Sequence, residues 1–377
     1  MTDLDELLPF WYELRNQGTE YVLATIVAVE GSGYRKPGAR MLIAADGRRS
    51  GTISGGCLEA EVARKAFWHT EKGPVVRRYS TVLEDGDAPF GMGCGGVVHL
   101  LLERSATAAS LLERLASDFD ERRPLAIATI LEGEWIGERA YWPIKPDARP
   151  NSPLTDRLTE LAHQSVDRQR SALESIHAED GQVVAAWSEW RAARPGLFIF
   201  GAGDDAIPMG RLARQLGWYV AVADGRSNLA TLARFPEAHA THVLTAREFP
   251  DFRLQSTDAA VVMTHSLEQD ARILAKLLTE DLAYVGVLGP RRRTAELLLT
   301  AAGAMKVPLA DVDPQIEAWM NRLHSPMGLD LGGETPSTIA LSVVSEIQQC
   351  LQQASGRPLR DVRSRQVVRN DQPALRR

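Results

Sequence analysis

The chain has 377 residues, of which 44% are hydrophobic and 24% charged, and its net charge is −6. That is room for two or three cored domains, and the acidic balance argues against nucleic acid or an anionic membrane as a partner. No apolar run approaches the roughly 20 residues of a membrane span. The acidic start at Asp3, Asp5 and Glu6 is unlike a signal peptide, so a cytoplasmic protein is expected. Three scattered cysteines, Cys57, Cys94 and Cys350, suggest neither a disulfide framework nor a structural zinc site.

Residues 4–14 repeat apolar positions at helical spacing, and residues 21–29 are branched and apolar, a strand pattern. Residues 41–44 and 51–53, joined through Asp46-Gly47, read as a hairpin. A helix is predicted over 58–68 and strands over 75–81 and 97–102. The middle region brings a helix over 106–115 and a buried strand over 125–131. A polar stretch rich in Pro, Asp and Arg follows near 144–153, then mixed signals ending at Glu189-Trp190. Residues 191–195 read as a linker. From Gly196 strands (197–200, 218–223, 259–263, 284–288) alternate with helices, and an amphipathic helix over 337–351 comes last. Such alternation predicts a parallel sheet with crossover helices. The expected α/β organisation is an N-terminal mixed α/β domain with a middle extension (1–190) and a Rossmann-like parallel-sheet domain (195–352). A polar, Arg-rich tail (355–377) is expected to be poorly ordered.

Gly201-Ala202-Gly203-Asp204-Asp205-Ala206 follows an apolar strand and opens a helix, fitting G-x-G-x-x-A. Gly201 permits the tight turn, Gly203 lets backbone approach a phosphate, and Ala206 lets helix and strand pack closely. Asp224 ends the next strand about 20 residues on, where a carboxylate accepts from a ribose hydroxyl. Arg226 beside it suits a phosphate or is a solvated loop arginine. Asp204 and Asp205 sit where a pyrophosphate would lie, so the competing reading is that one of them caps the helix and no dinucleotide binds. His265 follows a strand at the carboxyl edge of the sheet, where ligands bind in such folds; it is a ligand contact or a helix-entry residue. Arg291, Arg292 and Arg293 open a helix against its dipole, which favours an anion there.

Two glycine clusters stand out in the first half. Gly31-Ser32-Gly33-Tyr34-Arg35-Lys36-Pro37-Gly38-Ala39 is followed by Gly51-Thr52-Ile53-Ser54-Gly55-Gly56-Cys57-Leu58-Glu59, and Gly91-Met92-Gly93-Cys94-Gly95-Gly96 comes later. Glycine at this density suits turns or backbone that comes close to a ligand. Backbone N–H groups around Gly55-Gly56-Cys57 could cradle an anion, with Arg35 and Lys36 supplying charge. Cys57 is a site residue or a small buried residue at a helix start. Cys94, flanked by glycines, suits a reactive thiol that binds a soft metal or carries sulfur. Cys350 reads as core.

Together these segments resemble the XdhC/CoxI family of xanthine dehydrogenase accessory proteins. The likeness rests on Gly31-Ser32 with residues 35–41, residues 51–59 and Gly93-Cys94-Gly95-Gly96. In the second half it rests on residues 200–206, Asp224-Gly225-Arg226, Phe235-Pro236 and Met263-Thr264-His265 with Asp270. It continues through residues 284–289 with Arg291-Arg292-Arg293, then Pro326-Met327-Gly328-Leu329-Asp330 and Thr335-Pro336. The chain carries Asp204 where many members carry His, and Met327 where Ile is expected.

The resemblance implies a protein that binds the molybdenum cofactor (molybdopterin), protects it and supports exchange of an oxo for a sulfido ligand. It would then deliver the cofactor to a molybdenum hydroxylase apoenzyme such as xanthine dehydrogenase. A cysteine desulfurase would be the second partner and a homodimer the assembly. Two other classes compete. The Rossmann turn and Asp224 fit an NAD(P)-dependent oxidoreductase, although no catalytic Tyr with a Lys close behind it appears in this half. A dimeric scaffold or regulator without cofactor binding is the third reading.

Overall fold

The computed structural model describes residues 3–31, 35–56, 58–80, 96–144, 154–177, 181, 183–245 and 249–362. It forms two compact units that divide in sequence between Ala193 and Arg194.

The first unit runs α1 (Asp3–Gln17), β1 (Tyr21–Glu30), β2 (Arg40–Ala44), β3 (Arg49–Gly51), α2 (Glu59–His69), β4 (Val75–Ser80), β5 (Val97–Arg104) and α3 (Ser105–Asp120). It continues with β6 (Leu125–Ile130), β7 (Arg139–Trp142), α4 (Thr155–Arg168), β8 (Ala172–His177) and β9 (Val183–Arg191). The strands make two antiparallel sheets, ordered β3-β2-β1-β5-β4 and β7-β6-β9-β8. β1 is apolar nearly throughout because both of its faces are covered. Val22, Ala24 and Ile26 pack with α2, while Tyr21 and Leu23 pack with α1 and α3. Val27 and Leu101 of the first sheet meet Leu131 and Trp187 at the second.

Two buried ion pairs tie these sheets together. Arg139 of β7 reaches Glu103 of β5 at 2.5 Å. Arg40 of β2 and Glu189 of β9 are 1% and 3% exposed. Arg40 Nη1 donates to Glu189 Oε1 at 2.9 Å and to the Gly38 carbonyl at 3.0 Å, and its second terminal nitrogen takes the other carboxylate oxygen. Burial alone would raise the Glu189 pKa, but Arg40, followed by Arg191, holds the carboxyl below its usual range.

The second unit runs β10 (Gly196–Phe200), α5 (Ala206–Gln215), β11 (Tyr219–Asp224), β12 (Ala240–Val243), β13 (Ala259–Val262), α6 (Leu267–Leu277), β14 (Tyr284–Val287), α7 (Arg291–Ala304), α8 (Val312–Arg322), α9 (Pro336–Leu351) and α10 (Leu359–Val362). Its sheet is parallel with order β12-β11-β10-β13-β14, the expected Rossmann arrangement. Leu197 and Ile199 face α5 and α9, while Phe198 and Phe200 face α6, α7 and α8. The strand order reverses between β10 and β13, and their carboxyl ends form the crevice where such folds take ligands.

Three expectations change. The strand predicted over 51–53 ends at Gly51, whose φ is +83°; a Cβ there would stand 2.3 Å from the Arg40 carbonyl oxygen. Ile53 instead turns into the core under α2. β12 escapes the sequence pattern because it is a half-exposed edge strand of four residues. The tail makes one helical turn at α10, and residues 363–377 lie outside the described residues. No helix among the described residues is long and apolar enough to cross a membrane.

Removing one partner of a buried ion pair leaves an uncompensated charge. Glu189→Gln is therefore expected to cost about 3–5 kcal/mol, read as a lower denaturation midpoint. The pair Arg40→Met with Glu189→Leu should recover much of that loss. A double variant no more stable than Glu189→Gln would contradict the ion-pair account.

Candidate functional site

Strand register gathers the N-terminal motifs at one end of the first sheet. Glu30 of β1 and Ser80 of β4 both lie opposite Val97 of β5, next to Gly96. The Gly38 N–H donates to the Ile26 carbonyl at 2.8 Å and the Ile26 N–H to the Ala39 carbonyl at 2.9 Å, so the Arg35 segment departs from the same end. Cys57 and Cys94 lie outside the described residues.

Arg35, Lys36 and Gly38, with Glu189, Trp190 and Arg191 of β9, line a cleft of about 480 Å³, a size typical of small-ligand sites. Its wall is built by the buried pair. Gly38, at φ +97°, lies so close to Glu189 that a Cβ would stand 3.2 Å from Oε1. Arg35 is paired with Asp3, and Arg191 Nη1 meets Glu189 Oε1 at 3.0 Å. Lys36 has no ion-pair partner among the described residues. The cleft thus carries net positive charge: Glu189 is shared between Arg40 and Arg191, Lys36 has no acid partner among the described residues, and Trp190 lies alongside.

The loop expected to cradle an anion is held by side chains of its own segment. Ser54 Oγ accepts from the Gly56 N–H at 3.2 Å and the Leu58 N–H at 3.1 Å. Glu59 accepts from the Ser54 N–H at 2.7 Å, the Ile53 N–H at 3.2 Å and Thr52 Oγ1 at 2.6 Å. Burial pushes the Glu59 pKa up, but the hydrogen bonds from Ser54 and Thr52 outweigh it and hold the carboxyl low. The N–H groups of Ile53, Ser54, Gly56 and Leu58 are thus taken up by the protein's own side chains.

At the Rossmann edge, Gly201 has φ +131°, and a Cβ there would stand 2.5 Å from the Met263 carbonyl oxygen. A Cβ on Gly203 would stand 2.6 Å from Asp205 Oδ1. Asp224 is buried, and both of its oxygens are engaged. The Ala202 N–H donates to Oδ2 at 2.7 Å, and Arg226 donates through its N–H at 2.9 Å and its side chain at 2.8 and 3.0 Å. Burial would raise its pKa, but the bonds from Arg226 and Ala202 hold it low. The carboxylate placed opposite a ribose by the sequence instead ties the glycine turn to Arg226.

The other edge charges are largely paired too. Asp204 meets Arg234 at 2.7 Å. Asp205 stands at the start of α5 without a capping side-chain bond; its carboxylate lies 3.8 Å from His265 Nε2. Pro208 removes one donor from the first turn of α5. His265 adopts φ +65°, rare for a residue with a side chain, and is 66% exposed. Arg293 is drawn inward to Asp270 at 2.5 Å and to the Leu288 carbonyl, and Asp270 also accepts from Thr264. Arg292 faces solvent with Glu296 at 3.5 Å, and Arg291 is exposed. The structure therefore gathers Gly201, Gly203, Asp204, Asp205, Asp224, Arg226 and His265 at one crevice and leaves Arg291 and Arg292 on the surface. Sequence reasoning missed Glu189, Trp190 and Arg191, which it placed at the end of an unremarkable middle region.

Asp224→Asn removes the charge that holds Arg226 and the turn, with an expected cost of about 1–3 kcal/mol at pH 7. A depressed carboxyl stabilises the fold above its unfolded pKa of about 3.9, and that contribution fades as pH falls through the lower folded value. The gap between wild type and variant should therefore close below about pH 4. Urea titrations across pH check this; a gap unchanged down to acid pH would contradict it.

Residues 14–80 match the model of the XdhC and CoxI family, and residues 197–347 match that of the XdhC Rossmann domain. The chain is 33% identical over 342 residues to a probable xanthine dehydrogenase subunit of Bacillus subtilis (strain 168), covering 88% of this chain and 93% of that protein. The molybdenum cofactor insertion chaperone PaoD of Escherichia coli (strain K12) is 31% identical over 130 residues, 32% of this chain and 37% of that protein. A crystal structure described as a xanthine dehydrogenase from Bacillus halodurans superposes with a TM-score of 0.68 at 27% identity, covering 94% of this chain and 96% of that one. The chain belongs to the XdhC and CoxI family.

Proposed function

We propose that the protein is an accessory chaperone that binds the molybdenum cofactor (molybdopterin) and passes it to a molybdenum hydroxylase apoenzyme such as a xanthine dehydrogenase. Family membership and the chaperone among the relatives support this reading. The observation that carries it is Lys36, without an ion partner among the described residues, beside Arg35 and Arg191 in a cleft of ligand size. The donor chemistry fits the group. An anionic pterin offers negative charge to Lys36 and Arg191 and a flat ring to Trp190. When bound, the cofactor supplies the metal and its exchangeable ligand; the chain's own residues bind, orient and shield it. Arg40 fixes Glu189, and Glu189 fixes Arg191, so the cleft keeps its shape before a ligand arrives.

The same reading includes sulfuration of the held cofactor with a cysteine desulfurase as partner, and a homodimer as the assembly. It keeps Cys57 and Cys94 as cofactor-binding residues, with Cys94 as the thiol that binds a soft metal or carries sulfur. NAD(P) at the Rossmann turn is disfavoured, because Asp224 already accepts four hydrogen bonds and Asp205 occupies the helix start.

The test is to purify the protein from molybdenum-replete cells and measure bound pterin by fluorescence after oxidation, with molybdenum by mass spectrometry. The wild type should retain both. Lys36→Glu and Arg191→Glu should each retain about tenfold less, as expected when one charge-assisted contact becomes repulsive, with an unchanged circular dichroism spectrum. A wild type with no pterin and no uptake of added cofactor would overturn the proposal.

A further inference from the structure

Away from both regions, the second unit holds a chain of titratable side chains that the proposed function does not use. After α8 the backbone returns alongside β14: the His324 N–H donates to the Val285 carbonyl, and the Val287 N–H to the His324 carbonyl, each at 2.9 Å. This places the His324 ring flat on Tyr284, 4.2 Å between centroids. Glu346 of α9 reaches both. Its Oε1 lies 3.1 Å from His324 Nδ1, while its Oε2 accepts from Tyr284 Oη and the Gly328 N–H, each at 2.7 Å. One helical turn further on, Cys350 Sγ lies 3.9 Å from His324 Nε2. Read as core from the sequence, Cys350 is half-buried and packs against the core while ending this relay.

The geometry fixes the tautomer. Burial would push the Glu346 carboxyl up, but hydrogen bonds from His324 and Tyr284 hold it well below its usual range, so it is an acceptor at neutral pH. It takes the Nδ1–H of His324, which leaves the Nε2 lone pair facing the thiol. Nucleophile, base and base-orienting carboxylate then stand in the order that activates a weak nucleophile. A merely packed thiol needs no such relay. Burial, and next the Glu346 charge, push the Cys350 thiol up, so a thiolate is not standing at rest and attack depends on the imidazole.

We propose that Cys350 is a His324-activated thiol that exchanges with low-molecular-weight disulfides, a modification site separate from cofactor handling. In the step, His324 Nε2 takes the Cys350 proton and the thiolate attacks one sulfur of the disulfide R–S–S–R. The Cys350–S–S–R bond forms as the S–S bond of the reagent breaks. The leaving thiolate takes the proton back from His324 and departs as R–SH, so atoms, charge and electrons balance. The groups facing the imidazole are Tyr284 from β14 and Glu346 and Cys350 from α9.

The full-length protein is incubated with oxidised glutathione, quenched in acid, and the Cys350 peptide adduct is quantified by mass spectrometry, which separates it from Cys57 and Cys94. Cys350 should be modified in the folded protein, and His324→Gln should slow that modification about tenfold or more. At neutral pH Cys350 in the folded wild type should react about tenfold faster than the same cysteine in the urea-unfolded chain. An unmodified Cys350, or an unchanged rate in a folded His324→Gln, would overturn the proposal. If that variant does not fold, the wild type decides: a folded rate no faster than the unfolded one overturns it equally.

Discussion

Arg40 and Glu189 are both withdrawn from water, and charges in that position persist only where each meets the other, here through both terminal nitrogens of the guanidinium and both carboxylate oxygens. The pair spans 149 residues of sequence and joins β2 of one sheet to β9 of the other. Much else in the first unit depends on it. It brings Gly38 against the Glu189 carboxylate, sets the course of the Arg35-Lys36 segment, and leaves Glu189 to hold Arg191. A cleft whose cations are positioned this way is preorganised, so a ligand need not order the loop on arrival.

The two candidate regions differ in how their charges are spent. Along the Rossmann edge, Asp224 is met by Arg226, Asp204 by Arg234 and Asp270 by Arg293. The glycine turn is thereby stabilised, and its acid is engaged within the protein. In the cleft two acids, Asp3 and Glu189, meet three arginines, and Lys36 has no ion-pair partner among the described residues. An incoming anion adds to the second arrangement and competes with the first. The Rossmann unit also carries an exposed His265 at φ +65° at its crevice, and Glu346, His324 and Cys350 in contact beside β14.

Most of the fold was legible in the sequence. The strand over 197–200, buried on both faces, and the Gly201-Ala202-Gly203 turn announce a parallel sheet through periodicity and turn chemistry. β1 is legible for the same reason, being apolar over its length. The candidate site was legible only in part. Arg35 and Lys36 stand in a glycine-rich motif, whereas Glu189 and Arg191 look like the end of an ordinary strand until Arg40 is seen opposite. Long-range ion pairs leave no local pattern. Asp224 shows the converse: its spacing fits a ribose contact, but spacing cannot reveal that Arg226, two residues on, folds back onto it.

The central claim is that the first unit's cleft, and not the Rossmann turn, receives the cofactor. Amide hydrogen exchange with and without added molybdenum cofactor tests it most directly. The account predicts slower exchange over residues 35–39 and 189–192, with residues 201–206 and 264–266 unchanged. Protection of the Rossmann turn and the His265 segment, with residues 35–39 unaffected, would contradict it.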